Sequence, residues 1–243
     1  MTVILSGSPR GKNSKTLRLA LQLAEAAGEE VTLFDASAWR IDPCTGCESC
    51  FRNGSCIRQE QDDLKEIIDA LWNANAVIIA SPVYASGMTG QMKTLIDRLS
   101  CQLHLMILAG APAVVITTAS RSYHNETAEQ LSQVLEFMGA SVLEKIALTD
   151  RDEPDAILKS TAEKLRTALE PDKVLQLSPR TERWFAIQSR QFGIFKKIMD
   201  LLPGKMGEAR QWIARGYDRF DSVHELTAKM KIRRSQRSAY ERL

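Results

Sequence analysis

The chain has 243 residues, of which 44% are hydrophobic and 26% charged. That is a globular composition, which excludes fibrous and disordered proteins, and no apolar run approaches the roughly 18–20 residues of a membrane span. The net charge of +2 hides an asymmetry: residues 1–170 carry 16 Lys+Arg against 22 Asp+Glu, net −6, whereas residues 171–243 carry 16 against 8, net +8. A shift of that size predicts two functional parts. Met1-Thr2-Val3-Ile4-Leu5 runs directly into a Gly/Ser turn without a basic n-region, so no cleaved secretory leader is expected and the cytoplasm is.

In chain order, Val3-Ile4-Leu5-Ser6 predicts a strand, and the apolar pattern from Leu17 to Ala24 a helix that Gly28 stops. Val31-Thr32-Leu33-Phe34 is a second strand. Residues 62–74 read as a helix with Leu64, Ile67, Ile68 and Leu71 on one face. Ala76-Val77-Ile78-Ile79-Ala80 is an unbroken apolar strand, as expected where both faces are covered. A helix over 90–99, a strand over 113–118, a helix over 126–138, a strand over 141–148 and a helix over 155–169 complete the alternation. Such alternation predicts an α/β fold: a flavodoxin-like five-stranded parallel sheet, order 2-1-3-4-5, with helices on both faces and a ligand site at the carboxyl ends of the strands. The expected organisation is a domain over 1–175, carrying a cysteine loop at 44–56, and a C-terminal helical extension over 176–243. Residues 171–180 read as a linker. The extension reads as two helical stretches split at Pro203-Gly204, the first with Trp184, Phe185, Phe192, Phe195, Met199, Leu201 and Leu202, the second with Trp212, Ile213, Tyr217, Phe220, Val223 and Leu226.

The loop Ser6-Gly7-Ser8-Pro9-Arg10-Gly11-Lys12-Asn13-Ser14-Lys15-Thr16 joins a strand to a helix. Small residues let backbone approach an anion, and hydroxyls with the first free N–H groups of the helix suit phosphate oxygens. Neither a nucleotide P-loop nor a Gly-x-Gly-x-x-Gly dinucleotide turn aligns with it. The bland reading is an ordinary turn with Ser14 as helix cap. A second loop, Ser81 to Gly90, leaves the third strand at the same edge. Its Pro82 adds stiffness, Tyr84 a stacking face, and Gly87 room for a planar ligand. Together the loops suit one molecule with a phosphate end and an aromatic end, which describes FMN.

Gly7-Ser8-Pro9-Arg10 with Asn13-Ser14-Lys15-Thr16, then Pro43-Cys44-Thr45-Gly46-Cys47, Asp62-Asp63, Ser81-Pro82-Val83-Tyr84 and Lys93-Thr94-Leu95-Ile96-Asp97-Arg98 occur in an order that resembles the NADPH-dependent FMN reductase family over about residues 1–150. The cysteine spacing is most similar to its iron–sulfur flavoprotein branch. The resemblance implies that Ser8, Arg10, Asn13, Ser14, Lys15 and Thr16 hold the FMN phosphate and that Pro82, Val83, Tyr84, Ala85, Ser86 and Gly87 contact the ring. It also implies that the loop over 119–123, with Ser120 and Tyr123, closes the site, although this loop lacks the family's glycine-rich form.

Cys44-x2-Cys47-x2-Cys50-x5-Cys56 places four of the five cysteines in one short segment. Three cysteines each three apart suit a ferredoxin-like loop around a cubane, with Cys56 as fourth corner; free or redox thiols and zinc are the alternatives. The resemblance implies a [4Fe–4S] cluster exchanging electrons with FMN. Cys101, outside the spacing, reads as a buried core thiol. His104, His124 and His224 pair with no nucleophile motif, and His124 reads as a surface residue or a substrate contact. Asp62-Asp63 reads as a helix N-terminal turn and Asp97-Arg98 as a surface or inter-helix ion pair.

The functional expectation is an FMN oxidoreductase using NAD(P)H or a protein donor, with the cluster. Its rivals are a cluster-free quinone or nitro-compound reductase and a flavin electron carrier docking to a partner. Expected partners are small-molecule or protein electron donors and acceptors and a homodimer or homotetramer. The aromatic, basic extension reads as packing on the core or a second subunit, as an anchor on anionic lipid, or, through the basic run at 229–237, as a nucleic-acid contact, the least favoured of these.

Overall fold

In the computed structural model, which describes residues 1–171, 173–198 and 206–230, the chain builds one parallel sheet covered on both faces. Its strands are β1 (Thr2–Ser6), β2 (Val31–Asp35), β3 (Ala76–Pro82), β4 (Pro112–Thr118) and β5 (Ser141–Leu148), in the order β2-β1-β3-β4-β5. The helices are α1 (Lys15–Ala27), α2 (Ser49–Asn53), α3 (Leu64–Asn73), α4 (Gly90–Arg98), α5 (Ser100–His104), α6 (His124–Phe137), α7 (Asp155–Leu169), α8 (Pro179–Ile198) and α9 (Gly207–Ala214). The five-stranded order is the one expected from the alternation, and the C-terminal helical extension expected from the aromatic stretches after residue 180 is present.

Strand side chains alternate faces, so the unbroken apolar runs fill two cores. Ile4, Ile78, Val114 and Ile116 pack with Leu17, Leu23, Leu158 and Leu165 of α1 and α7. Val3, Leu5, Val77, Ile79 and Val115 pack instead with Leu64, Ile67, Met92, Leu95, Leu131 and Leu135 of α3, α4 and α6. Ser6 lies opposite both Asp35 and Ala80, so β1 and β2 end together while β3 runs two residues further, to Pro82. The direction of winding reverses between β1 and β3, and the crevice at their carboxyl ends is where such sheets bind ligands.

The extension makes a third core with the 105–110 segment. Phe185 and Phe192 of α8 meet Trp212, Tyr217, Met106 and Ala109. Trp212 is fully buried, and its ring lies 5.0 Å from Phe192 and 5.0 Å from Tyr217. Arg180 reaches Glu136 and Glu129 of α6, and Trp184 Nε1 donates to Leu103 O at 3.1 Å. The linker reading needs amendment: Leu177 is buried and Gln176 O accepts from Ser141 Oγ at 2.8 Å, so that segment is fastened to the core. The second helical stretch is also divided. α9 ends at Ala214, Gly216 takes φ 74, and helix resumes over 223–230, because a left-handed residue ends an α-helix. Met199, Leu201, Leu202, Pro203-Gly204 and the basic residues of 231–237 lie outside the described residues.

Candidate functional site

Between β1 and α1 the chain makes a 3-10 turn, Gly11–Asn13, and then extends at Ser14. Ser14 Oγ accepts from Leu17 N at 3.1 Å and caps α1, leaving the N–H groups of Lys15 and Thr16 without intrahelical acceptors. Ser8, Ser14 and Thr16 are buried, whereas Arg10 and Asn13 are exposed. Ser8 Oγ accepts from Arg10 N at 3.3 Å, and the Thr16 and Thr118 hydroxyls share a hydrogen bond. Lys15 turns its ammonium elsewhere, toward Thr149 O at 3.2 Å and Asp150 Oδ1 at 3.5 Å. Only its backbone N–H belongs to the helix end.

The second loop is bolted to the first. Thr89 Oγ1 donates to Gly7 O at 2.6 Å while accepting from Met92 N at 3.2 Å, so one hydroxyl caps α4 and holds the phosphate-type loop. Gly7 is required there, since a Cβ would lie 2.7 Å from Met92 Cβ. Tyr84 and Gly87 exchange hydrogen bonds of 2.9 and 3.1 Å across a two-residue turn whose centre, Ala85 (φ 48) and Ser86 (φ 65), is left-handed at both positions. A mirror-image turn without glycine at its centre costs on the order of 1–3 kcal/mol per strained residue and persists where the surroundings over-determine it. Here Val83 N donates to Thr118 O at 2.8 Å and Thr89 N to Ser81 Oγ at 3.2 Å, which fixes both ends. The turn holds Tyr84 out from the surface, 43% exposed.

A third loop leaves β4. Ser120 and Tyr123 are exposed, and Tyr123 enters α6 with φ 65. Thr117 Oγ1 donates to His124 O at 2.8 Å, and His124 Nδ1 is buried without a hydrogen-bond partner. His124 is half-buried at the start of α6, at the end of this third loop.

These loops fit FMN on three counts. Ser6 Oγ is a buried hydroxyl without a partner at the end of β1. Ser8, Ser14 and Thr16 gather hydroxyls at the start of α1, where free N–H groups and the helix dipole favour an anion. The strained Tyr84 turn presents backbone and an aromatic face beside them.

The cysteine loop follows β2 in the chain. Cys44 and Cys47 are exposed, Cys50 on α2 and Cys56 half-buried, and all four are free thiols. Burial pushes the Cys50 thiol up to about 11, reinforced by Cys56, Glu208 and Cys44. The Ser49 N–H and the Thr45 hydroxyl lower the pKa of Cys47. Among the described residues no three His, Cys, Asp or Glu side chains converge to hold a metal ion. The donor set itself, four thiol sulfurs in one short segment, has the softness an iron–sulfur cluster needs.

Arg98 anchors this loop. Its guanidinium donates to Asp62 Oδ2 at 2.7 Å, Asp62 Oδ1 at 3.3 Å and Asp42 O at 2.7 Å. Both side chains of the pair are more than nine-tenths buried. Burial acts against the Asp62 carboxylate, but Arg98 and the N–H groups of Asp42 and Leu64 outweigh it and hold its carboxyl below the usual range. The Asp97-Arg98 pairing is thus corrected: Asp97 pairs with Lys93 at 2.5 Å, because adjacent helical residues point apart and residues four apart meet. Thr89, Thr118 and Glu208 hold these loops without a motif of their own: only a Thr before the helix at 90 marks Thr89, and nothing local marks the other two.

A model of the NADPH-dependent FMN reductase family matches residues 1–153. The chain belongs to that family. This FMN reductase family member is 38% identical over 137 residues to an iron–sulfur flavoprotein of Archaeoglobus fulgidus, a span of 55% of this chain and 61% of the relative. It is 32% identical over 145 residues to an iron–sulfur flavoprotein of Clostridioides difficile, 58% of this chain and 60% of the relative. The chain thus spans about three fifths of the length of these two curated relatives. Among solved structures, an NADH:FMN oxidoreductase in its apo form aligns with 74% of this chain and 92% of its own, at 22% identity and a TM-score of 0.50. The NAD(P)H:acceptor flavoenzyme FerB of Paracoccus denitrificans aligns with 70% and 96%, at 18% identity and 0.51. At these identities the two structures establish the flavodoxin-like fold of the family member.

Proposed function

We propose that the chain is an FMN-dependent oxidoreductase that takes electrons from NAD(P)H or a protein donor and carries a [4Fe–4S] cluster on Cys44, Cys47, Cys50 and Cys56. The observation that carries the reading is the joining of the hydroxyl-lined loop and the strained turn by Thr89 at the switch point between β1 and β3. Ser8, Ser14, Thr16 and the first N–H groups of α1 would bind the phosphate, with Arg10 adding charge. Pro82 to Gly87 would orient the ring, with Tyr84 against its face. Ser120 and Tyr123 would shield it from water, and His124 Nδ1 would hold or receive a proton at the substrate edge. Bound FMN would supply hydride and one-electron chemistry, so no protein nucleophile is needed. The family, the spacing of the thiols and the relatives named iron–sulfur flavoproteins support the cluster. The same reading carries a cytoplasmic location and a homodimer or homotetramer.

Steady-state NADH and NADPH oxidation with FMN and a panel of quinones, nitro compounds and ferric chelates tests the activity, and iron and sulfide assays on anaerobically purified protein test the cluster. Turnover with stoichiometric iron and sulfide is expected. Turnover without iron identifies a cluster-free reductase. Bound flavin without turnover identifies an electron carrier.

A further inference from the structure

The extension lies outside the family match, and the flavin reading leaves its role open. Its helix α9 packs directly on α2, the short helix that carries Cys50. Gly54 ends α2 at φ 82, and a Cβ there would lie 2.7 Å from Gln211 Nε2 and 2.8 Å from Gly207 O. A Cβ on Gly207 would overlap the Asn53 carbonyl carbon and the Gly54 nitrogen. Two backbones therefore meet with no side chain between them. Gln211 Nε2 donates to Gly54 O, and the Cys101 thiol donates to the same oxygen and to Cys50 O, at 3.5 Å each. Glu208, buried at the start of α9, bonds His104 Nδ1 at 3.1 Å. The His104 ring stacks on Phe51 of α2, with centroids 5.3 Å apart. The far side of α9 is locked to α8 by Trp212.

From this arrangement we propose that α9 is the seat of the cysteine loop, with Gly207 and Gln211 as positioning residues that fix Cys50 and the turn leading to Cys56. The consequence for the cluster rests on the function proposed above; the seat does not. A ligand loop whose backbone carbonyls and flanking ring are already held loses less freedom on binding iron, and the half-buried Cys50 thiol is shielded from reagents until the seat opens. The extension thereby acquires a task that the flavin fold alone leaves unfilled.

The test uses three full-length proteins: wild type, Gly207→Ala and Gln211→Ala. Alkylation of each cysteine is followed by mass spectrometry in FMN-loaded, metal-free protein. Iron retention under a chelator is followed in protein reconstituted with iron and sulfide, together with the electron paramagnetic resonance signal after reduction. Gly207→Ala is expected to raise Cys50 alkylation about tenfold relative to exposed Cys47, the factor for about 1.4 kcal/mol of lost protection. It is also expected to speed iron loss and broaden the signal, with FMN affinity unchanged. Gln211→Ala, which adds no bulk, should act in the same direction and decides the matter if Gly207→Ala no longer holds FMN. Wild-type alkylation and iron retention in both variants overturn the seat. Unmasking of Cys50 in protein that takes up no iron supports the seat and refutes the cluster.

Discussion

Arg10 and Ser14 sit in one loop with separable tasks. Arg10 is exposed and, on the proposed reading, serves the phosphate, whereas Ser14 also caps α1 through Leu17 N. Arg10→Ala should weaken FMN binding by about 1.5–3 kcal/mol at an unchanged melting temperature, as expected for one charge-assisted bond. Ser14→Ala should weaken it and also cost about 1 kcal/mol of stability through the lost cap. Flavin titration and thermal unfolding of the two variants check this; equal behaviour in both would misplace the phosphate. Arg98 tests a different residue. Arg98→Ala leaves Asp62 buried without its cation, which should destabilise by about 3–5 kcal/mol. A denaturant midpoint within error of wild type would show that the pair is replaceable. The Ser14 cap of α1 was legible because a hydroxyl residue just before an apolar helical pattern is a common N-cap. The Arg98–Asp62 pair was not, since its partners are 36 positions apart and meet only when α3 and α4 dock.

At the scale of elements, the strands were legible because an unbroken run such as Ala76 to Ala80 has few alternatives once helices flank it. The five-residue helices α2 and α5 escaped because each is too short to show a period and is held by tertiary contacts such as Cys101 to Gly54. Gly87 reads from the sequence as room for a planar ligand, but nothing in the sequence signals that the left-handed residues of the turn are Ala85 and Ser86. One element carries a pH signature. Lys145, then Gln133 and Arg180, bring the Glu129 carboxyl down to about 2 against burial, and this cluster ties α6 to β5 and α8. A depressed carboxyl stabilises the fold fully above its ordinary value of 4.5, and that contribution fades as pH falls toward 2. Its partners are half-exposed, so solvent screening keeps the effect modest. Acid titration of tryptophan fluorescence should show wild type losing stability between those limits, and Glu129→Gln should flatten the loss. Identical profiles would remove the cluster from the attachment of α8.

At the scale of the whole molecule, the extension is part of the chain's own core. The aromatic residues read as packing on the core or a second subunit, Trp212 and Phe192 above all, are buried by the chain itself, and a Cβ on Gly110 would lie 2.8 Å from Thr227 Cβ. Deleting residues 176–243 should therefore expose Met106 and Ala109 and bare the outer side of α2, lowering the melting temperature or causing aggregation while the phosphate loop keeps its local form. A truncated protein with the wild-type melting temperature would contradict that dependence. The charge asymmetry marked the extension as a separate part, and the packing of α9 on α2 explains how a separate part of the sequence becomes continuous with the site. The central claim, that the β1–β3 edge holds FMN for electron transfer, is met most directly by anaerobic titration of the FMN-loaded full chain with NADH and NADPH. Bleaching of the bound flavin band by one equivalent of either nucleotide, and its return with an acceptor, is the expected result. Flavin that stays oxidised with both nucleotides and with a reduced protein donor would contradict it.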